Sequence, residues 1–356
     1  MKALSLFNGI SGLHLALDKS GIEVDTLYYA EIDKFANKVT ETQYPDDIPL
    51  GDVTKWEEWD IDWSEIDLVT AGFPCQAWSI AGKGLGDKDE RGMLFWTTLD
   101  IIKKVLLNNP SARFMLENVK MKKEFEEYIT HHTTEALGEV HKTLINSALV
   151  SAQNRNRYYW TNFEVSQPKD KGLVLSDIVE DNQDLNFGKE VIGVGKNYIQ
   201  WDNSGKGYGS QDQRGYYLSG KHGTVSTGSS KNKVVVGLET IIKNESIMKN
   251  GKSYVLTASY AGAVAWNSCE RKQRSMAVVG ESEGESANNY NGVLYRKLSP
   301  IECERLQNIP DNFTDCISNT QRYKAIGNGW TINVISHILD CAFKDKYSSI
   351  KLGGGM

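Results

Sequence analysis

The stretch IDLVTAGFPCQAWS, residues 66–79, indicates the fold of this chain. Its first half is a short apolar run that stops at a glycine and Pro74, which is typical of a buried parallel strand ending at the carboxyl edge of a sheet. Proline cannot continue a central strand, so we expect Cys75 to stand in a loop at this edge. A lone cysteine is most often a small buried core residue. The polar residues Gln76 and Ser79 that follow favour a functional loop at the edge where open α/β sheets bind ligands.

Strand and helix patterns alternate on both sides of this stretch. This alternation predicts a doubly wound, mostly parallel α/β sheet with a Rossmann-like fold. The expected strands are 2–7, 24–30, 66–70, 113–119 and 142–149, and the expected helices include 13–18, 92–107, 122–137 and 331–343.

The composition changes near Pro168. Residues 191–230 contain nine glycines among forty residues, with scattered aromatic side chains, which predicts a separate, smaller, loop-rich domain with short strands. We therefore expect a first segment at 1–168, a second domain at 169–292, a last segment at 293–346 and a flexible tail at 347–356.

Composition limits the class of protein. The chain has 356 residues, a net charge of −6 and five dispersed cysteines without a Cys-x-x-Cys pair, so neither a disulfide framework nor a metal site is expected. An apolar stretch of the roughly 18 residues that span a bilayer does not occur, and we expect a cytoplasmic protein. Residues 196–274 carry 12 Lys and Arg against 5 Asp and Glu, a local charge of +7 that suits a nucleic-acid partner better than the overall charge does.

A glycine-containing turn follows the first expected strand. The sequence Asn8-Gly9-Ile10-Ser11-Gly12 lies between a strand and a helix, where backbone N–H groups can approach a nucleotide-like ligand. Glu31 follows the second expected strand, about 20 residues further on, at a spacing that suits hydrogen bonds to ribose hydroxyls. Asp52 places a second acid near the same edge.

Three motifs in this order resemble those of the cytosine-5 DNA methyltransferase family. They are Gly-Phe-Pro-Cys-Gln at 72–76, Glu-Asn-Val at 117–119 and Gln-Asn-Arg-Asn-Arg at 153–157. The resemblance implies S-adenosylmethionine as cofactor, duplex DNA as substrate, a target recognition domain at 169–292 and a C-terminal block that folds back to complete the cofactor pocket. It also admits a cognate restriction endonuclease as partner, and we expect a monomer on DNA.

The resemblance assigns site residues one by one. The cofactor residues it implies are Phe7, Asn8, Gly9, Ile10, Ser11, Gly12, Glu31, Ile32, Asp52, Val53, Gly72, Pro74, Leu94, Asn328, Gly329 and Trp330. The DNA contacts it implies are Gln76, Ser79, Thr257, Arg271, Lys272 and Arg274. The common family form has Ser and Val after Gly-Asn, whereas this chain has Gly329 and Trp330, which together with Tyr158-Tyr159-Trp160 favours a phage or DNMT3-like branch.

The residue types suit cytosine chemistry. Carbon 5 of cytosine is a weak nucleophile until a soft nucleophile adds to carbon 6, and the Cys75 thiolate is the candidate. Glu117 is the candidate acid at ring nitrogen 3, and Arg155 and Arg157 are expected to orient the base and support Cys75 and Glu117. A base held by its Watson–Crick edge must leave the duplex, so base flipping is implied.

Three alternatives remain at this point. A pyrimidine mononucleotide enzyme of the thymidylate synthase kind also uses a Pro-Cys thiolate, but it needs neither the glycine turn nor the basic segment. A catalytically silent DNA-binding protein is disfavoured by intact Cys75, Glu117 and Arg157. A tRNA methyltransferase of the same superfamily would share every motif named above.

Overall fold

The computed structural model describes residues 1–74, 90–174, 177–178, 180, 191–195, 198–201, 214–216, 276–282 and 292–347. Within these ranges, every helix is too short or too polar to cross a membrane.

A seven-stranded sheet forms the centre of the protein. The strands are β1 (Lys2–Leu6), β2 (Thr26–Ala30), β3 (Ile48–Gly51), β4 (Ile66–Ala71), β5 (Arg113–Val119), β6 (His141–Asn146) and β7 (Asn156–Thr161). Their order is β3-β2-β1-β4-β5-β7-β6. The first five are parallel, and β7 runs antiparallel to both of its neighbours. The expected mostly parallel sheet is therefore confirmed.

The reversal of β7 brings two distant motifs together. The carboxyl ends of β1, β2, β4 and β5 meet at one edge of the sheet, and an antiparallel strand has its first residues at that same edge. Val119, the last residue of β5, lies opposite Arg157, the second residue of β7, and Glu117 lies opposite Tyr159. Residues that end β5 and residues that begin β7 are thus neighbours.

Helices cover both faces of the sheet. They are α1 (Gly12–Ser20), α2 (Lys34–Gln43), α3 (Glu90–Asn108), α4 (Lys123–Leu137), α5 (Pro300–Leu306), α6 (Asn319–Asn328) and α7 (Ile332–Tyr347). One core joins α1 and α7 to the sheet, with Leu13 and Ile335 fully buried, and the other joins α3 and α4, with Phe95 and Ile129 fully buried. Two apolar faces explain why β4 is buried almost throughout.

The C-terminal helices return to the beginning of the chain. The Oγ of Ser20 in α1 donates a hydrogen bond to the carbonyl of Ser336 in α7, at 3.2 Å. A capping box starts α5, because the Glu302 N–H donates to Ser299 Oγ at 3.2 Å and the Ser299 N–H donates to Glu302 Oε2 at 2.7 Å. Trp330, just before α7, and Ile332, its first residue, lie close to Gly12, so the last helix begins beside the first glycine turn.

Some boundaries differ from those expected. The strand expected at 142–149 ends at Asn146, because the Asn146 side chain accepts from the Ala148 N–H at 3.0 Å and caps a short 3₁₀ turn. The strand expected at 2–7 ends at Leu6, because Phe7 has a positive φ of 55°.

Beyond residue 190, the described pieces of the predicted recognition domain at 169–292 are short strands. Three form an antiparallel sheet, β8 (Val191–Gly195), β9 (Tyr198–Trp201) and β10 (Arg214–Tyr216). A fourth, β11 (Met276–Ser282), pairs antiparallel with β12 (Gly292–Lys297), which lies almost wholly in the predicted segment 293–346. The boundaries of the predicted domains stay predictions.

Candidate cofactor and catalytic site

The turn after β1 has an unusual backbone. Phe7, Gly9 and Ser11 have positive φ angles of 55°, 59° and 60°. Only glycine adopts this region without steric cost, so two non-glycine residues here require support from the surrounding structure. At Gly9 a Cβ atom would meet no neighbour within 4 Å, so the space beside this backbone is open.

Thr40 of α2 supplies part of that support. Its buried Oγ1 accepts hydrogen bonds from Asn8 Nδ2 at 3.2 Å and Ser11 Oγ at 2.8 Å. The Asn8 N–H also donates to the Ala30 carbonyl at 3.1 Å, which joins the turn to the end of β2. Thr40 could not be identified from the sequence, because a threonine within an amphipathic helix gives no sign that it will accept hydrogen bonds from a distant turn.

Glu31 closes the same turn. Its Oε2 accepts from the Gly9 N–H at 2.8 Å, and its Oε1 accepts from the N–H groups of Ile32 and Asp33, each at 2.8 Å. The carboxylate is therefore fixed beside the glycine turn, and its bonds to ribose hydroxyls stay a prediction. Ile32 itself is 76% exposed, an unusual state for a large apolar side chain.

Asp52 stands after β3 as the cap of a 3₁₀ helix. Its Oδ1 accepts from the N–H and the Oγ1 of Thr54, both at 2.9 Å, and Val53 is buried beneath it. The two acids expected near the cofactor thus follow adjacent parallel strands, β2 and β3.

Trp330 connects the glycine turn to the end of β4. A Cβ atom at Gly12 would lie 3.4 Å from Trp330 Cε3, and one at Gly72 would lie 2.9 Å from Trp330 Nε1. The Gly72 position would also lie 3.3 Å from Glu117 Oε2. A side chain at residue 72 would therefore collide with the indole. This explains why the position is occupied by glycine.

Glu117 and Arg157 form an ion pair at this edge. Glu117 Oε1 lies 2.9 Å from Arg157 Nε, and only 11% and 14% of the two side chains are exposed. The next residue, Asn118, donates from Nδ2 to the carbonyl of Phe73 at 3.2 Å, which holds the chain just before the Cys75 loop. A buried charge needs such a partner, and here the partner comes from the predicted third motif.

Tyr159, opposite Glu117 in the sheet, is buried in the same environment. Burial, followed by the nearby Glu117 carboxylate, raises the pKa of Tyr159 above its usual value. Tyr159 therefore stays neutral at physiological pH.

Arg155 has contacts of a different kind. It is buried, with 4% of its surface exposed, and donates from Nη1 to the Gly327 carbonyl at 3.4 Å and from Nη2 to the Gly329 carbonyl at 2.9 Å. The sequence predicted the same role on the target base for Arg155 and Arg157. The structure shows that Arg155 contacts the C-terminal segment at Gly327 and Gly329.

The remaining expected residues differ in placement. Leu94 of α3 is half-buried against the core below Phe73, and Asn328 is exposed at the end of α6. Several expected residues lie outside the part of the chain that the structure describes: Cys75, Gln76, Ser79, Thr257, Arg271, Lys272 and Arg274.

One group of described residues has the spacing of metal ligands. The ligand atoms of His131, His132 and Glu135 lie within 4.8 Å of one another on α4. This helix packs on the opposite face of the sheet from Trp330.

The residues at the glycine turn suit S-adenosylmethionine. The Gly9 backbone leaves open space, Glu31 Oε2 accepts one N–H and can accept from one more hydroxyl donor, and Asp52 can accept from an amine. Asn8 Oδ1 is a buried acceptor without a hydrogen-bond partner among the described residues. An open backbone with several oxygen acceptors matches the ribose and adenine of such a cofactor.

Comparisons with known proteins agree with this geometry. The chain is 29% identical over 360 residues to the type II methyltransferase M1.ScrFI of Lactococcus lactis subsp. cremoris, covering 95% of this chain and 77% of the relative. It is 28% identical to the type II methyltransferase M.HhaI of Haemophilus parahaemolyticus, covering 95% and 93%. The crystal structure of the S. pombe Dnmt2 methyltransferase aligns with a TM-score of 0.62 at 17% identity, covering 97% and 99%, which supports the fold.

A family model supplies the broadest match. The model of the C-5 cytosine-specific DNA methylases covers residues 1–344 of this chain. Because the match includes both the first motifs and the C-terminal block, this chain belongs to the C-5 cytosine-specific DNA methylase family and is an enzyme of the DNA (cytosine-5-)-methyltransferase class.

Proposed function

We propose that this enzyme transfers a methyl group from S-adenosylmethionine to carbon 5 of a cytosine in duplex DNA, through a covalent bond between Cys75 and carbon 6. The observation that carries the proposal is the buried Glu117–Arg157 pair, which lies beside Gly72 at the edge where the Cys75 loop begins. A carboxyl and a guanidinium at this position suit the polar edge of a pyrimidine.

The steps balance as an addition followed by an elimination. The Cys75 thiolate forms a bond to carbon 6, and Glu117 supports the electron density that moves toward ring nitrogen 3 by sharing a proton there. Carbon 5 would then bond to the methyl carbon as the methyl–sulfur bond of the donor breaks, with its electron pair remaining on the donor sulfur. Loss of the carbon 5 proton returns an electron pair to the ring and breaks the sulfur–carbon 6 bond, which releases Cys75.

The protein's own groups prepare the methyl donor. S-Adenosylmethionine supplies an electrophilic methyl carbon when bound. Glu31 would accept from a ribose hydroxyl, Asp52 would accept from the adenine amine, and the exposed Ile32 side chain would pack against the adenine. Trp330, between Gly12 and Gly72, separates the cofactor turn from the base-binding edge.

The substrate is duplex DNA with the target base flipped out. An enclosed Watson–Crick edge cannot be recognised within the stacked helix, which supports flipping. The positive charge of residues 196–274 suits the phosphate backbone. The relatives are named type II methyltransferases, which supports a short recognition sequence, a cognate restriction endonuclease and a site of action inside the cell.

Transfer of a labelled methyl group tests the proposal. Enzyme and Cys75→Ala are incubated with methyl-labelled S-adenosylmethionine and mixed-sequence duplex DNA, with dCMP and tRNA as competing acceptors, and the product is digested to nucleosides. We expect 5-methyldeoxycytidine from the wild-type enzyme and none from the variant. Label in tRNA or dCMP alone, or DNA binding without transfer, would contradict the proposal.

A further inference from the structure

The carboxyl end of α6 is capped by side chains from two distant segments. Gln307 Nε2 donates to the carbonyls of Ile326 at 3.1 Å and Gly329 at 3.3 Å. Arg155 donates to the carbonyls of Gly327 and Gly329, at 3.4 and 2.9 Å. The last carbonyls of a helix lack partners within the helix and form the negative end of its dipole, so a buried guanidinium is favourable there.

Gln307 is the centre of a buried polar network. Its Oε1 accepts from Thr331 Oγ1 at 2.7 Å and from Gln153 Nε2 at 2.8 Å, and its carbonyl accepts from the Ile332 N–H at 2.9 Å. Ser147 Oγ donates in turn to Thr331 Oγ1 at 2.9 Å. We call Ser147, Gln153, Arg155, Gln307 and Thr331 the buried network, and at most 4% of the surface of any of them is exposed.

This network holds the residues on both sides of Trp330. Gly329 is bonded through its carbonyl and Thr331 through its hydroxyl, so the intervening indole is held over Gly12 and Gly72. Arg157, two residues beyond Arg155, is paired with Glu117 instead. Neighbouring arginines of one motif thus serve two different parts of the site.

We propose that Arg155 is a positioning residue for the cofactor pocket: with Gln307 it fixes the Gly327–Thr331 turn and so places Trp330 against the cofactor. The proposal rests on the proposed function, because it takes the open space at Gly9 of the glycine turn, against which Trp330 packs at Gly12, to be part of the S-adenosylmethionine site. Lysine does not reproduce this contact, since its ammonium is a compact charge on a flexible stem and lacks the rigid planar fork with which the guanidinium reaches both carbonyls.

The test compares Arg155→Lys with Arg157→Lys. Calorimetric titration with S-adenosylmethionine measures the cofactor Kd, and steady-state assays with duplex DNA measure kcat and both KM values. For Arg155→Lys we expect the cofactor Kd to rise roughly 10- to 100-fold, which corresponds to the loss of one charge-assisted hydrogen bond. We expect a much smaller change in kcat at saturating cofactor. For Arg157→Lys we expect the reverse, a large loss of kcat at nearly unchanged cofactor Kd.

Arg322→Lys is the matched control. Arg322 is also a buried arginine of α6, but it pairs with Glu304 Oε1 at 3.0 Å and Thr314 Oγ1 at 3.0 Å. We expect this variant to lower the melting temperature and leave the cofactor Kd unchanged. An equal rise in Kd would show general destabilisation and overturn the proposal.

Thr331→Val tests the same network more gently if Arg155→Lys does not fold. The variant removes two neutral hydrogen bonds, one donated to Gln307 Oε1 and one accepted from Ser147 Oγ, and is expected to raise the cofactor Kd by roughly three- to tenfold. Wild-type Kd in Thr331→Val, or wild-type Kd with a collapsed kcat in Arg155→Lys, would overturn the assignment. A wild-type enzyme that bound no S-adenosylmethionine would instead contradict the proposed function.

Discussion

The Glu117 side chain at the sheet edge is held in place by contacts with its neighbours. Glu117 is bonded through Oε1 to Arg157, and its Oε2 faces Gly72. The backbone before Cys75 is held in turn by Asn118. This arrangement fixes the Glu117 carboxyl relative to the backbone of Phe73, two residues before the proposed nucleophile Cys75, as the proposed reaction of both groups with one base requires.

Glu117→Gln should separate binding from chemistry. The amide keeps the shape of the side chain but cannot share a proton with the ring, so we expect kcat to fall roughly 10²- to 10⁴-fold, with the cofactor Kd unchanged. Single-turnover methyl transfer measures the effect. Glu126→Gln, at a buried glutamate of α4 that contacts Lys142, is the matched control and should keep wild-type kcat. Wild-type kcat in Glu117→Gln would remove this residue from the mechanism.

Gly72→Ala should damage the site through Trp330. The new methyl group would lie 2.9 Å from the indole nitrogen, closer than real contacts allow, and overpacking of this kind costs roughly 1–3 kcal/mol. We expect lower activity, partly restored by adding Trp330→Val. Gly12→Ala, whose Cβ would lie at an ordinary 3.4 Å from the indole, should have a smaller effect on activity. Equal losses in the two alanine variants would argue against the steric account.

At the scale of elements, the glycine turn depends on α2. Asn8 and Ser11 both donate to Thr40, and Glu31 binds the Gly9 N–H from the end of β2. The positive φ angles of Phe7 and Ser11 are thus stabilised by groups that follow them by more than twenty residues in sequence.

Thr40→Val tests this dependence. Valine leaves the Asn8 amide and the Ser11 hydroxyl without their acceptor, so we expect a loss of roughly 1–3 kcal/mol in the free energy of unfolding and a several-fold rise in the cofactor KM. Denaturant unfolding and steady-state kinetics measure the two effects. Thr42→Val on the exposed side of the same helix, where the hydroxyl bonds only its own helix at Lys38, should change neither. An unchanged KM in Thr40→Val would detach this contact from cofactor binding.

The elements near the catalytic edge could be predicted because strand ends carry strong local signals. Gly72 and Pro74 follow the end of β4 at Ala71, Glu117 falls near the end of β5, and Ser299 with Glu302 marks the start of α5. The different contacts of Arg155 and Arg157 could not be predicted, since they depend on which distant segment reaches each side chain. Gln307 gave no signal either, because a glutamine at a helix end looks solvated until the C-terminal segment is packed against it.

At the scale of the whole molecule, charge is distributed unevenly. The segment 196–274 has a net charge of +7 in a chain of net charge −6, so the rest of the chain carries −13. A basic segment within an acidic protein directs DNA to one region by long-range attraction.

The salt dependence of DNA binding should depend on the positive charges of residues 196–274. Each phosphate contact adds about 0.9 to the slope of log K against log salt concentration, so replacing Arg271 and Lys272 by glutamine should reduce the slope by up to about 2. Fluorescence anisotropy with duplex DNA measures it. Replacing Lys103 and Lys104, two exposed lysines of α3, removes the same charge and should leave the slope unchanged. Equal slopes for the two double variants would contradict a localised binding face.

The covalent step at Cys75 is the central claim, and trapping it is the most direct test. In duplex DNA of mixed sequence whose cytosines are replaced by 5-fluorocytosine, the group at carbon 5 cannot leave as a proton, so the enzyme should stay bonded to the base. Intact mass spectrometry with S-adenosylmethionine present should show one DNA strand plus one methyl group added to the protein, and peptide mapping should place the bond at Cys75. Cys75→Ala should form no adduct. An adduct at another cysteine, or methylation of ordinary DNA without any adduct from the fluorinated duplex, would contradict the account.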